Sequence, residues 1–182
     1  MTQAATSTSS PYTYLPPVPS FELASETITD GHPLPVAQLS KMFGVPGGED
    51  VSPQLSWSGF PPETRSFVVS MYDPQAPTGS GFWHWVVFDL PPDTTSLAKN
   101  AGDPKANLLP AGALMVRNDT GSSSYNGPCP PKGDKPHHYN ITVFAVDVDK
   151  LDADQNATPA VIGFNLHFHT LAKATLTGVW GR

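Results

Sequence analysis

The chain has 182 residues, a formal net charge of −6, 38% hydrophobic residues and only 14% charged ones. That length supports one domain with its own core, and the acidic balance excludes a general affinity for nucleic acid or anionic membrane, so any anion site must be local. The single cysteine, Cys129, excludes an intrachain disulfide framework and a CxxC zinc site.

The 21 prolines cluster between apolar stretches, which suits an all-β domain with long structured loops. Residues 1–19 are rich in Ser, Thr and Pro and are expected to be flexible, with Tyr12, Tyr14, Leu15 and Val18 available to lie on the domain or on a partner subunit. The opening "MTQAATSTSS" has no basic residue and no apolar core, so it does not read as a secretory signal. Residues 20–182 read as a single domain. No apolar run approaches the roughly 18 residues of a membrane span, so integral membrane association is not expected and a cytoplasmic address is the default.

From Phe21 the chain reads as successive strands. "SFELASETI" alternates weakly, and Asp30-Gly31 is a turn signal. Residues 41–52 form a glycine-rich loop. "PQLSWSGFPPETRSFVVSMYD" predicts a short strand, a turn from Gly59 to Glu63, and a strong strand over 65–72. "GFWHWVVFDL" is the next strong strand, 91–112 is loop with one short helical turn, "GALMVRND" is another strand and "HYNITVFAVDV" is the longest. Thr158 is a plausible N-cap and Pro159 a first helical residue. Val161, Phe164, Phe168 and Leu171 follow helical spacing, and Gly178 is expected to end that helix.

Reactive side chains gather at strand ends. In "MYDPQAPTGSGFWHW", Asp73 follows an apolar strand and Pro74 and Pro77 stiffen the turn. The period of two puts His84 on the face of Val86 and Phe88, opposite Trp83, Trp85 and Val87. A histidine there is either a satisfied core group or a pocket wall. In "SYNGPCPPKGDKPHHYN", prolines and glycines shape a rigid loop; Gly127 can let a ligand approach the backbone. His137 and Tyr139 then point to one face of a strand and His138 to the other. Read alone, this is also an ordinary turn before a strand. Together, an Asp, two His and a Tyr at the mouths of aromatic strands make a small polar pocket in apolar walls. Imidazole, phenol and backbone donors suit an oxyanion: phosphate, sulfate or carboxylate. Asp73 accepting from an imidazole would fix its tautomer. Without Lys or Arg in the pocket, affinity is expected to rise as pH falls through the histidine range. His167 and His169 are two apart on a helix and do not make the i, i+4 pair of a zinc site, so no metal and no cofactor are expected.

"DPQAP", "FWHW" and "YNGPCPPKGDKPHHY", in this order and spacing, resemble the phosphatidylethanolamine-binding protein family, also called Raf kinase inhibitor-like, over about Phe21 to Trp180. The short C-terminus resembles its bacterial branch. The resemblance implies a mainly β fold: a Greek-key antiparallel β-sandwich of two sheets, with one main C-terminal helix and long Pro/Gly-rich loops. It implies a small anion pocket carried by Asp73, His84, Gly127, Pro131, His137 and Tyr139, with Tyr125 at the rim. Two positions depart from the family pattern: Gln75 stands where a second acid is usual, and His138 where Arg is frequent. Cys129 is expected to be a small packed loop residue.

The expected function is non-enzymatic binding of a small phosphate- or carboxylate-bearing ligand: a phospholipid head group, a phosphorylated residue or a nucleotide-like molecule. Regulation of a kinase or other partner follows from the resemblance. The alternatives are inhibition of a protease or kinase through loops 41–52 and 91–112, or weak hydrolysis using Asp73 and His84, although no G-x-S-x-G elbow is present. Bacterial relatives suggest a homodimer.

Overall fold

In the computed structural model, which describes residues 12–182, the strands are β1 (Glu22–Ala24), β2 (Leu55–Ser58), β3 (Ser66–Asp73), β4 (Phe82–Leu90), β5 (Ser96–Leu97), β6 (Leu114–Met115), β7 (His137–Val146) and β8 (Thr170–Trp180), with helix α1 (Pro159–His169) between β7 and β8. They form two antiparallel sheets: a small one in the order β1-β2-β5 and a five-stranded one in the order β6-β4-β3-β7-β8. The mainly β, two-sheet, one-helix fold is therefore as expected.

The five-stranded sheet is covered on both faces. This is why β3 is buried at every residue and shows no apolar–polar alternation. One face packs on the small sheet through Phe67, Val69, Trp85, Tyr139 and Ile141 against Leu55 and Trp57. The other carries Val68, Val86, Phe88 and Phe144 under Ile162 and Leu166 of α1. Tyr12 joins this second layer: its ring meets Phe144 edge-on at 4.7 Å and its hydroxyl lies 2.6 Å from Ser70 Oγ. The first eleven residues of the segment expected to be flexible lie outside the described residues; from Tyr12 onward the chain rests on the sheet.

Two expectations are corrected. The helix begins as read, with Thr158 Oγ1 accepting from Val161 N–H and Pro159 at its first turn. It ends at His169, however, not at Gly178. Thr170 turns its N–H and its hydroxyl back to the Leu166 carbonyl, and the chain continues as β8, which pairs along the full length of β7. Gly178 lies inside that strand because a Cβ there would sit 2.2 Å from Leu34 Cδ2. On the helix Val161, Phe164 and Phe168 are exposed, and Ile162 and Leu166 make the contact with the sheet. Finally, "GALMVRND" contributes only Leu114–Met115 to a ladder. Asn118 ends it, its Oδ1 accepting from Thr120 N–H, Thr120 Oγ1–H and Ser122 N–H. The short helical turn expected within 91–112 is a 3-10 turn at Pro104–Ala106, capped by Asp103.

Candidate functional site

The end of β3, the start of β4 and the start of β7 meet at one edge of the sheet. Asp73 pairs with Phe82 across the β3–β4 ladder, and Tyr72 pairs with Asn140 across the β3–β7 ladder. The proline-rich loop before β7 folds over this corner and encloses a cavity of about 180 Å³. Asp73, His84, Gly127, Pro131, His137 and Tyr139 all line it, with Phe43, Phe82 and Cys129 among the other walls. No Lys or Arg lines it.

His84 reaches the cavity through an irregularity the sequence did not reveal. Met71 pairs with Trp85 but Tyr72 pairs with Trp83, so His84 is an extra residue in β4. Such a bulge reverses the side-chain parity. Trp83 therefore joins the layer of Val86 and Phe88, while His84 faces Tyr139, with ring centroids 5.4 Å apart. This corrects the expectation that His84 shares a face with Val86 and Phe88.

His84 is 5% exposed, and its Nδ1 lies 2.8 Å from the Asn126 carbonyl. A carbonyl only accepts, so Nδ1 carries the proton and Nε2 of the neutral ring presents a lone pair. Nε2 is buried and has no protein partner. Burial lowers the His84 pKa below its ordinary value; the Asn126 carbonyl and the charges of Asp73, Asp119 and Asp50 offset part of that. Tyr139 is fully buried, its hydroxyl also lacks a partner, and burial raises its pKa well above the usual phenol range.

Asp73 holds the second histidine. His137 Nδ1 donates to Asp73 Oδ2 at 2.7 Å, and Asp73 Oδ1 accepts from Gln75 N–H at 2.8 Å. His137 Nε2 faces Asp134 Oδ2 at 3.6 Å. The carboxylate thus pairs with His137 and not with His84, so an Asp73–His84 dyad is not formed.

The two departures from the family pattern meet each other outside the cavity. Gln75 Oε1 accepts from the His138 backbone N–H at 2.6 Å and lies 3.0 Å from His138 Nδ1. That contact ties the turn after β3 to the start of β7. Tyr125 is not at the rim: it lies beneath the site, donating its hydroxyl to the Gln38 carbonyl at 2.9 Å and meeting Trp85 edge-on. Gly127 has a different reason from the one expected. A Cβ on it would lie 2.3 Å from the Gln38 carbonyl oxygen, so the glycine lets the loop pack against the 38–40 backbone.

Asp50 is a supporting residue that sequence reading missed. Its backbone is left-handed, with φ 57°, and its carboxylate accepts from Met42 N–H at 3.0 Å and Gly127 N–H at 2.8 Å. It thereby clamps the loop bearing Phe43 to the turn whose Asn126 carbonyl orients His84. The only signal in the sequence was an Asp directly after "GGE", a residue type that tolerates this conformation. On the helix, His169 Nδ1 donates to Asp147 Oδ1 at 2.9 Å, and His167 packs on Phe168.

Chemically, the cavity offers one buried O–H donor and one buried imidazole nitrogen in apolar surroundings. A singly protonated oxyanion satisfies both: an anionic oxygen accepts from Tyr139, and its own O–H donates to His84 Nε2.

Comparison with known proteins gives a consistent picture. The family model described as phosphatidylethanolamine-binding protein matches residues 24–181. YbcL of Escherichia coli strain K12 is 44% identical over 161 residues, covering 88% of this chain and 87% of that protein. YbhB of the same strain is 44% identical over 159 residues, covering 87% of this chain and 99% of that protein. The crystal structure of E. coli YbcL, described as a new member of the mammalian PEBP family, superposes with a TM-score of 0.86 at 42% identity, covering 90% of this chain and 99% of that one.

Proposed function

Because this chain belongs to the phosphatidylethanolamine-binding protein family, we propose that it is a binding protein whose ligand presents an oxyanion, in the first place a phosphate group, to Tyr139 and His84. The observation that carries this reading is the pair of buried atoms without a protein partner, Tyr139 Oη and His84 Nε2, in two residues that line one cavity. Buried polar atoms are nearly always satisfied, so two exceptions at one small cavity point to a ligand that completes them. His137, fixed by Asp73, lines the same space.

The cavity is smaller than the roughly 300 Å³ at which drug-sized pockets begin, which favours a head group or a phosphorylated side chain over an acyl chain. Free phosphate, a phospholipid head group and a phosphorylated residue share the recognised chemistry. Regulation of a kinase or another protein partner would run through that same recognition. Binding without turnover is the favoured reading, because the His84 Nδ1–H is spent on a carbonyl and Asp73 is committed to His137.

The test is an NMR titration of the imidazole resonances with inorganic phosphate, phosphoethanolamine and ethanolamine. Saturable shifts of His84 and His137 with the first two compounds, and none with ethanolamine, are expected. Unmoved imidazoles at tens of millimolar phosphate would overturn the reading.

A further inference from the structure

The chain's sole cysteine is in the wall of the cavity. Cys129 stands between Pro128 and Pro130, whose rings restrict the backbone on both sides. Its thiol is half-buried and lies 3.9 Å from the Phe43 carbonyl oxygen. The same cavity holds the partnerless Tyr139 hydroxyl and His84 Nε2. A thiol is a weak donor and a weak acceptor, and in its reduced form Cys129 makes no hydrogen bond to either group.

Resting on the reading of this cavity as an oxyanion site, we infer that Cys129 is a modification site that closes it: oxidation of the thiol to a sulfenic acid supplies a tethered oxygen that accepts from Tyr139 and an O–H that donates to His84 Nε2. The oxidant is a hydroperoxide. The thiolate sulfur attacks one peroxide oxygen, the S–O bond forms as the O–O bond breaks, and the departing hydroxide takes up the thiol's proton as water. Sulfur loses two electrons and the peroxide gains them. No second cysteine exists in the chain to resolve the product as an intrachain disulfide. The sulfenic acid therefore stays in the cavity until an external thiol attacks it, giving first a mixed disulfide and then, with a second thiol, the reduced side chain. While it stays, a phosphate finds the Tyr139 donor and the His84 acceptor already occupied.

The experiment uses the full chain treated with hydrogen peroxide, with a cyclic 1,3-dione trapping the sulfenic acid for peptide mapping. Labelling at Cys129, slowed by saturating inorganic phosphate and prevented by dithiothreitol added before the dione, is expected. Oxidised protein should bind phosphate at least about 10-fold more weakly than reduced protein. Cys129→Ser should ignore peroxide, its phosphate affinity and its ring resonances being the same before and after treatment. Oxidation should also shift the Tyr139 and His84 ring resonances in the wild type without any added anion. That last readout stands apart from phosphate binding: if reduced protein fails to bind phosphate but the rings still move on oxidation, the proposed ligand is wrong and the modification site stands. A Cys129 that is not labelled while glutathione in a parallel tube with the same peroxide is oxidised overturns the inference, and so does a labelled Cys129 that leaves both rings and phosphate affinity unchanged.

Discussion

Replacing Tyr139 by Phe removes one oxygen and nothing else from the floor of the cavity. The side chain is fully buried and its hydroxyl has no protein partner. Holding a buried donor without a partner costs about 1–3 kcal/mol, whereas deleting it forfeits no protein hydrogen bond. Tyr139→Phe should therefore be at least as stable as the wild type, and up to about 1 kcal/mol more so once the loss of close packing around the missing oxygen is allowed for. Binding should move the other way. A hydrogen bond to a charged group is worth about 1.5–3 kcal/mol, so phosphate affinity should fall by roughly 10- to 100-fold. Urea denaturation measures the first quantity and phosphate titration the second. A variant destabilised by more than about 1 kcal/mol with unchanged phosphate affinity would refute the reasoning, because the hydroxyl would then have a structural role.

The glycines give a paired prediction. In Gly127→Ala the new Cβ meets backbone atoms of Gln38, Leu39 and Ser40 at 2.3–2.5 Å, so the loop must move; a loss of about 3 kcal/mol is expected in urea midpoints, together with weaker phosphate binding. Gly163→Ala, inside α1 with nothing within 4 Å of the new Cβ, should instead stabilise by about 0.5–1 kcal/mol. Asp73→Ala strips the His137 Nδ1–H and the Gln75 N–H of their acceptor and should cost about 3 kcal/mol, with the His137 ring tautomer no longer fixed in ring-nitrogen NMR spectra. Burial holds the folded-state pKa of His84 below the ordinary 6.5. As pH falls through 6.5 the unfolded chain takes up this proton first, so the stability tied to neutral His84 is complete above that value and shrinks below it until the folded group titrates too. Urea midpoints should accordingly drop between about pH 7 and pH 5, less steeply in His84→Gln, and phosphate should protect more as the pH falls. An identical slope in His84→Gln would assign the loss to another group.

How much of this was legible in the chain depends on which interactions decide each element. β3, β4 and β7 were readable because their apolar, β-branched runs end in Asp, Pro and Gly clusters. The start of α1 was readable because capping is local: Thr158 and Pro159 carry the signal themselves. Its end was not, since Phe168 and Leu171 prolong the helical spacing while the preference of Thr170, Thr175 and Thr177 for strand is realised only by pairing with β7. Spacing finds an apolar stripe and does not say what covers it; Phe164 and Phe168 face outward.

The site was legible as a set of residues and not as a set of contacts. His137 and Tyr139 needed only the period of two. His84 needed a bulge between β3 and β4, which no local pattern encodes. That Asp73 takes His137 rather than His84, that Gln75 meets His138, and that Asp50 ties two distant loops together are all matters of long-range register. Cys129 was read as a packed loop residue and proves to stand in the cavity wall as well.

The most direct test of the proposed function is a crystal structure of the full chain grown with saturating inorganic phosphate near pH 6. The proposal requires phosphate in the cavity, with one oxygen within hydrogen-bond distance of Tyr139 Oη and another within reach of His84 Nε2. Phosphate bound elsewhere, with both atoms still partnerless or met by water alone, would contradict it.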